Sequence, residues 1–307
     1  MKKIIATKKT PPKILGYNDK ITVGNLTYTV QSRLGAGTFG NVYRCIPQNP
    51  TDQAGIIDQV AIKVSQDDPL HLSVARKEGT LLSQLKHPHI IHYIDKDPTG
   101  RFLVLELCSQ TLNTKIKQSY PGLDPAIAQR VYQHLLSALV YLTKKNIVHR
   151  DIKPENILEK QIPKSPTLES LWKLADFGTA AKNPGKATCR VSTLTFSAPE
   201  TLIHIDNAYT HSYPSDLFSL GVVMYETVTG KPLLNRLEDH LTDSKNSELL
   251  RITLTGTQPG SPLKHYILIK SPLKPYIEQA LAIDPAQRPS AASLLEEVSK
   301  TGRSLQG

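Results

Sequence analysis

The chain is poor in cysteine and tryptophan, and no long apolar run interrupts its 307 residues. The three cysteines, Cys45, Cys108 and Cys189, are odd in number, widely spaced and in no CxxC or finger pattern. That excludes a disulfide framework or a zinc module and suits a reducing compartment. No stretch approaches the roughly eighteen consecutive apolar residues of a membrane-spanning helix. The basic start of the chain has no apolar region behind it, which argues against a secretory signal. Neither an internal repeat nor an appended domain is visible.

What is present in excess is positive charge, +10 net. Lys2, Lys3, Lys8, Lys9 and Lys13 crowd the start, and the rest of the excess is dispersed. A solvated, flexible tail over residues 1–20 is favoured over contact with acidic membranes or nucleic acid. No specific nucleic-acid partner is expected. The hydrophobic content, 39%, is enough for one large core or two modest ones.

Thr27–Val30, Asn41–Cys45, Gln59–Val64 and Phe102–Glu106 read as strands. A polar loop over 48–55 and one helix, Leu72–Leu85, lie among them. After Leu107 the pattern turns helical. Asp124-Pro125 opens a helix carrying Ile127, Val131, Leu135, Leu139 and Leu142 at helical spacing. Leu217–Val228 reads as a buried helix, and Ser290 caps a last one over Ala291–Val298. The class is therefore α+β, with a β-rich part at 21–107, a helical part at 108–300 and tails at 1–20 and 301–307.

Three segments carry chemistry. Gly35, Gly37 and Gly40 stand in GxGxxGxV, where bare backbone lets amides approach phosphate oxygens. A dinucleotide fingerprint would need a helix next, whereas Val42–Cys45 reads as strand. A plain glycine hairpin stays open on this motif alone. Lys63 lies within the apolar run Val60–Val64, where the bland alternative is an edge residue pointing to water. Finally, His149-Arg150-Asp151-Ile152-Lys153-Pro154-Glu155-Asn156 and Asp176-Phe177-Gly178 set two carboxylates, an ammonium and an amide on nearby loops. At ~5% per residue type, matching His149, Arg150, Asp151, Asn156, Asp176, Phe177 and Gly178 by accident is on the order of one in a million, even allowing for sliding and variable spacing.

Together these segments resemble the eukaryotic-type serine/threonine protein kinase family, with Lys153 marking the serine/threonine branch. The resemblance runs from about residue 28 to 300 and implies a bilobal fold with a β-rich N-lobe, one main N-lobe helix and a mainly α-helical C-lobe. It implies ATP with Mg2+, Mn2+ being an acceptable substitute. Lys63 would hold the α and β phosphates and pair with Glu78, with Asp67 and Asp68 as competing acids too close to the strand end. Asp151 would orient the substrate hydroxyl and accept its proton, while Lys153 steadies the γ-phosphate. Asn156 and Asp176 would ligate the metal through oxygen. The adenine would meet Val42, Ala61, Leu158 and the hinge backbone from Glu106 to Cys108, behind a gatekeeper at Leu105. Glu200 of Ala198-Pro199-Glu200 would pair with Arg288, and Asp216 would anchor the catalytic-loop backbone. Phe218 stands where tryptophan is commoner.

Control and specificity are read less fully. Arg150 could pair with a phosphate on Thr188 or Ser192, placed there in trans by transient self-association. A threonine-rich loop without a switch role is the alternative. Thr193 matches the residue that contacts Asp151 and Lys153. No acidic residue lies between Glu106 and Asp124. The hinge therefore resembles that of the unfolded-protein-sensor kinases and leaves ribose to Ser109 or Asn113. Glu155 is available to a basic substrate residue. Protein substrates and a cytoplasmic location are expected, in the host cytosol if a bacterium delivers the chain. Two other classes remain: an ATP-binding pseudokinase scaffold acting through protein contacts, and a small-molecule phosphotransferase. Intact Lys63, Asp151 and Asp176 speak against the first, and the glycine and Ala-Pro-Glu signatures against the second.

Overall fold

Period-two alternation of β-formers builds the first part of the chain, as seen in a computed structural model that describes residues 14–37, 40–48, 59–162, 170–187, 193–202, 204–205, 208–233 and 269–304. Strands β1 (Lys20–Val23), β2 (Leu26–Gly37), β3 (Gly40–Pro47), β4 (Val60–Ser65), β5 (Tyr93–Lys96) and β6 (Phe102–Glu106) form one antiparallel sheet in the order β1-β2-β3-β4-β6-β5. Alternate residues of these strands, among them Ile21, Tyr28, Tyr43, Ile62 and Val104, form one buried apolar cluster. Each such side chain contributes roughly 1.5–3 kcal/mol of burial. In the opposite register set, Val42 faces Lys63, Lys63 faces Leu103, and Ala61 faces Leu105. Helix α1 (Pro69–Leu82) sends Glu78 to Lys63 on this second face. It begins before Leu72 because the Asp68 carboxylate accepts from the amides of Leu70 and His71, with Pro69 in the first turn.

Order begins before residue 20. Leu15 N–H donates to Tyr43 Oη, and Asn18 N–H donates to the Val30 carbonyl. The basic lysines of the tail lie outside the described residues.

The chain divides into two compact units. The first ends at Leu107 but omits Leu85–Ile91, which belongs to the second. Backbone bonding explains this: Ile91 N–H donates to Leu174 O, Leu174 N–H donates to His89 O, and Lys86 N–H donates to Tyr141 Oη.

The second unit is mainly helical: α2 (Leu112–Gln118), α3 (Pro125–Lys144), α4 (Tyr213–Thr229), α5 (Lys274–Ala280) and α6 (Ala291–Ser304). Asp124 caps α3, whose stripe of Ala128, Val131, Leu135, Leu139 and Leu142 is buried. Helix α4 is buried almost all round, as its continuous apolar run requires, and α3 and α5 pack against it. Short strands complete the unit: β7 (Gln110–Thr111), β8 (Ile147–Val148), β9 (Ile157–Gln161), β10 (Ser170–Leu174), β11 (Ala181–Lys182), β12 (Gly185–Ala187), β13 (His204–Ile205) and β14 (Ala208–His211). They form the sheets β10-β9-β7, β11-β8 and β12-β14-β13. Among the described residues no helix is long and apolar enough to cross a membrane.

Candidate active site

In the first unit, Gly37 of β2 pairs with Gly40 of β3, and Gly35 lies opposite Val42. Gly40 has φ 142°, and a Cβ there would lie 2.0 Å from the Val64 carbonyl oxygen. The close strand crossing thus requires glycine. Val42 is half-buried and Ala61 is buried.

Lys63 is no edge residue, since β4 lies between β3 and β6. Its Nζ sits 2.8 Å from Glu78 Oε2, both side chains being buried. The competing acids are engaged elsewhere: Asp67 pairs with Arg101 at 2.8 Å, and Asp68 caps α1. Glu106 turns its carboxylate back to the His92 amide at 2.7 Å.

In the second unit a tight turn over Pro154–Asn156 brings the loop polar groups together. Asn156 Nδ2 donates to the Asp151 carbonyl at 2.8 Å and to Asp151 Oδ2 at 3.0 Å. Lys153 Nζ lies 2.9 Å from the same Oδ2. Thr193 donates to Asp151 Oδ1 through both its amide (3.1 Å) and its hydroxyl (2.8 Å). Asp151 is therefore a buried carboxylate oriented at both oxygens. Asn156, having spent both amide hydrogens, offers Oδ1 as an acceptor.

The loop is held from below by Asp216 at the start of α4. Its carboxylate accepts the amides of His149 at 2.7 Å and Arg150 at 2.9 Å. Arg150 has φ 72°, in the left-handed region disfavoured for a side chain, and these two bonds stabilise the turn. Burial raises the Asp216 carboxyl to about 6, against the lowering effect of the two amides and of Arg150. His149 is buried, and that burial lowers its pKa. Its Nδ1 takes the Asp151 amide at 3.3 Å and its Nε2 meets Ala175 O at 3.1 Å, the pattern of a neutral ring protonated on Nε2. Its edge packs on Phe177, with centroids 4.7 Å apart. Ala175 N–H donates to Asn156 O at 2.8 Å, which sets Asp176 beside the loop in a second left-handed residue, φ 61°.

Below the site, Glu200 and Arg288 form a two-pronged ion pair at 2.7 and 2.8 Å. Arg288 also donates to the carbonyls of Ala282, Pro214 and Ile283, so all five guanidinium hydrogens are used. Its guanidinium lies 4.9 Å over the Phe218 ring.

Other predicted residues are placed as follows. Leu158 is half-buried in β9, opposite Thr111 and Lys173. Cys108 is half-buried after the hinge. Ser109, a candidate for ribose, donates its hydroxyl to Glu159 O at 2.8 Å, while Asn113 is half-buried in α2. Thr188 and Ser192 lie outside the described residues. Residues not anticipated from sequence are Thr179, whose carbonyl takes Arg150 Nε at 2.6 Å, and Ser215, which donates to Glu200 at 2.9 Å. No local signal marks either one, because each acts through a partner distant in sequence.

The donor set suits a hard cation. Asn156 and Asp176 offer amide and carboxylate oxygen, and no cluster of three or more His, Cys, Asp or Glu gathers into a cage among the described residues. Mg2+ characteristically takes one or two such protein ligands and completes its shell with water and phosphate.

The protein kinase domain family matches residues 28–298. Serine/threonine-protein kinase 33 of Bos taurus is 29% identical over 91% of this chain and 56% of its own length. Cyclin-dependent kinase-like 4 of Homo sapiens is 34% identical over 67% of this chain and 52% of its own. Serine/threonine-protein kinase ATG1 of Debaryomyces hansenii is 31% identical over 74% of this chain and 29% of its own. The chain thus spans about half the length, or less, of these relatives. With the matched domain covering most of its residues, the chain belongs to the eukaryotic-type protein kinase family.

Proposed function

We propose that this chain is an active ATP-dependent protein serine/threonine kinase. The observation that carries the reading is the bonded cluster of Asp151, Lys153, Asn156 and Thr193, which arms one carboxylate and one ammonium on the same loop. In this reading Asp151 accepts the proton of a serine or threonine hydroxyl as its oxygen bonds to the γ-phosphorus. The bond from that phosphorus to the oxygen bridging it to the β-phosphate breaks, and ADP leaves. Lys153 holds the charge on the transferring group, and Lys63, kept extended by Glu78, holds the α and β phosphates. Asn156 Oδ1 and Asp176 would hold Mg2+, which supplies neutralisation of phosphate charge. Adenine contacts follow the resemblance, through Val42, Ala61, Leu158 and the Glu106–Cys108 backbone.

The test is transfer of radiolabel from ATP to generic protein substrates by wild type, Asp151→Ala and Lys63→Ala. Oriented groups of this kind are worth ~10³-fold in rate. Equal incorporation by all three would overturn the assignment and favour a binding scaffold.

Regulation by phosphate on Thr188 or Ser192, added in trans, belongs to the same reading. It predicts a modified segment by mass spectrometry after incubation with ATP. A fully active enzyme with an unmodified segment would refute it.

A further inference from the structure

We propose that a recess beside the C-terminal end of α3 binds a small amphipathic anion, an alkyl or aryl body ending in one carboxylate. The recess holds about 380 Å³. That falls within the ~300–1,000 Å³ of small-molecule sites. Leu139, Leu142, Ile147, Leu217, Pro289 and Ala291 give it apolar walls. It contains none of the residues proposed to touch ATP or a protein substrate.

Charge complementarity selects the ligand's polar end. Asp216 and Arg288 line the recess, but both are spent: the first on two backbone amides, the second on five acceptors. The last turn of α3 also lines it, but the carbonyls of Tyr141, Leu142 and Thr143 already accept from the amides of Lys145 and Asn146, so the side-chain charge left over is positive. Lys144 lines the recess and has no ion-pair partner among the described residues. The first turn of α6 lines it too, at Ala291 and Ala292, while Ser290 Oγ is taken by the Ser293 amide. The amides of Ala291 and Ala292 are first-turn donors without an intrahelical acceptor, at the positive end of a fourteen-residue helix. An apolar body with a terminal carboxylate satisfies walls, lysine and helix end together. A neutral chain satisfies the walls alone.

The experiment is calorimetric titration of the full chain, without ATP, with monomeric decanoate and with decan-1-ol. Decanoate should bind saturably at one site, three- to fivefold more tightly than decan-1-ol, and Lys144→Ala should erase that preference. Ala292→Trp and Thr143→Phe, at exposed positions lining the recess, should each weaken decanoate tenfold or more while the melting temperature stays unchanged. Absence of saturable binding, or undiminished binding to both filling variants, would overturn the site. Equal affinity for the alcohol would overturn its anion preference. Because no phosphate transfer is read, these results stand apart from the kinase assay.

Discussion

The Thr193 hydroxyl donates to Asp151 Oδ1 at 2.8 Å and accepts from Lys153 Nζ at 2.8 Å. One hydroxyl thus holds the carboxylate and the ammonium in register, using both its donor and an acceptor lone pair. Thr193→Val keeps the shape and removes both bonds. Hydrogen bonds to charged groups are worth about 1.5–3 kcal/mol, so kcat should fall roughly ten- to hundredfold. Thr193→Ser should stay within about threefold. Steady-state kinetics on a peptide substrate would decide, and an unimpaired valine variant would remove Thr193 from the site.

The glycines of the GxGxxGxV motif should separate cleanly. A Cβ on Gly40 would strike the Val64 carbonyl, whereas one on Gly35 meets nothing within 4 Å. Gly40→Ala should therefore lose about 1–3 kcal/mol of stability, with Gly35→Ala nearly neutral. Urea denaturation of the two variants measures the difference.

Arg288→Lys should fail to replace arginine. Lysine has three donors and no fork, so at least two of the five acceptors lose their arginine partner. The arginine side chain is fully buried, and breaking a buried pair costs about 3–5 kcal/mol. The melting temperature should drop by several degrees or more. A change within error would refute the stabilising role assigned to the arginine fork.

Acid should act on two opposed groups. His89 and His134 stack with ring centroids 3.9 Å apart, and burial lowers them to about 4 and about 3. Between pH 6.5 and 4 the unfolded chain takes protons that these folded rings refuse, so their contribution to stability falls as pH falls. Asp216, raised to about 6, works the other way: its contribution falls as pH rises from 3.8 to 6. That displacement corresponds to ~3 kcal/mol. Unfolding measured at pH 4.5, 5.5 and 7 should show a flatter acid slope for His134→Phe and a steeper one for Asp216→Asn. Parallel curves would refute both assignments.

Strand Phe102–Glu106 and the cap of α3 at Asp124-Pro125 were legible because their signals are local. The Lys63–Glu78 pair, Glu200 with Arg288, and Asp216 under the catalytic loop were legible through the family resemblance, and the observed bonds match it. Strand β1 was not legible: its four residues are too short for a pattern and gain their stability from pairing with β2. Nor was the transfer of Leu85–Ile91 to the second unit, which rests on bonds to Leu174 and Tyr141 far along the chain. The hydrogen bond from the Ser109 hydroxyl to the Glu159 carbonyl was not legible either, because the two lie fifty residues apart.

The grip of Asp216 on the amides of His149 and Arg150 orders events in time as well as space. The residue that shapes the loop is synthesised 66 positions after Arg150. A growing chain that stops before Asp216 carries the loop's sequence without the bonds that stabilise its left-handed turn. The shape of the loop therefore depends on α4 being in place beneath it.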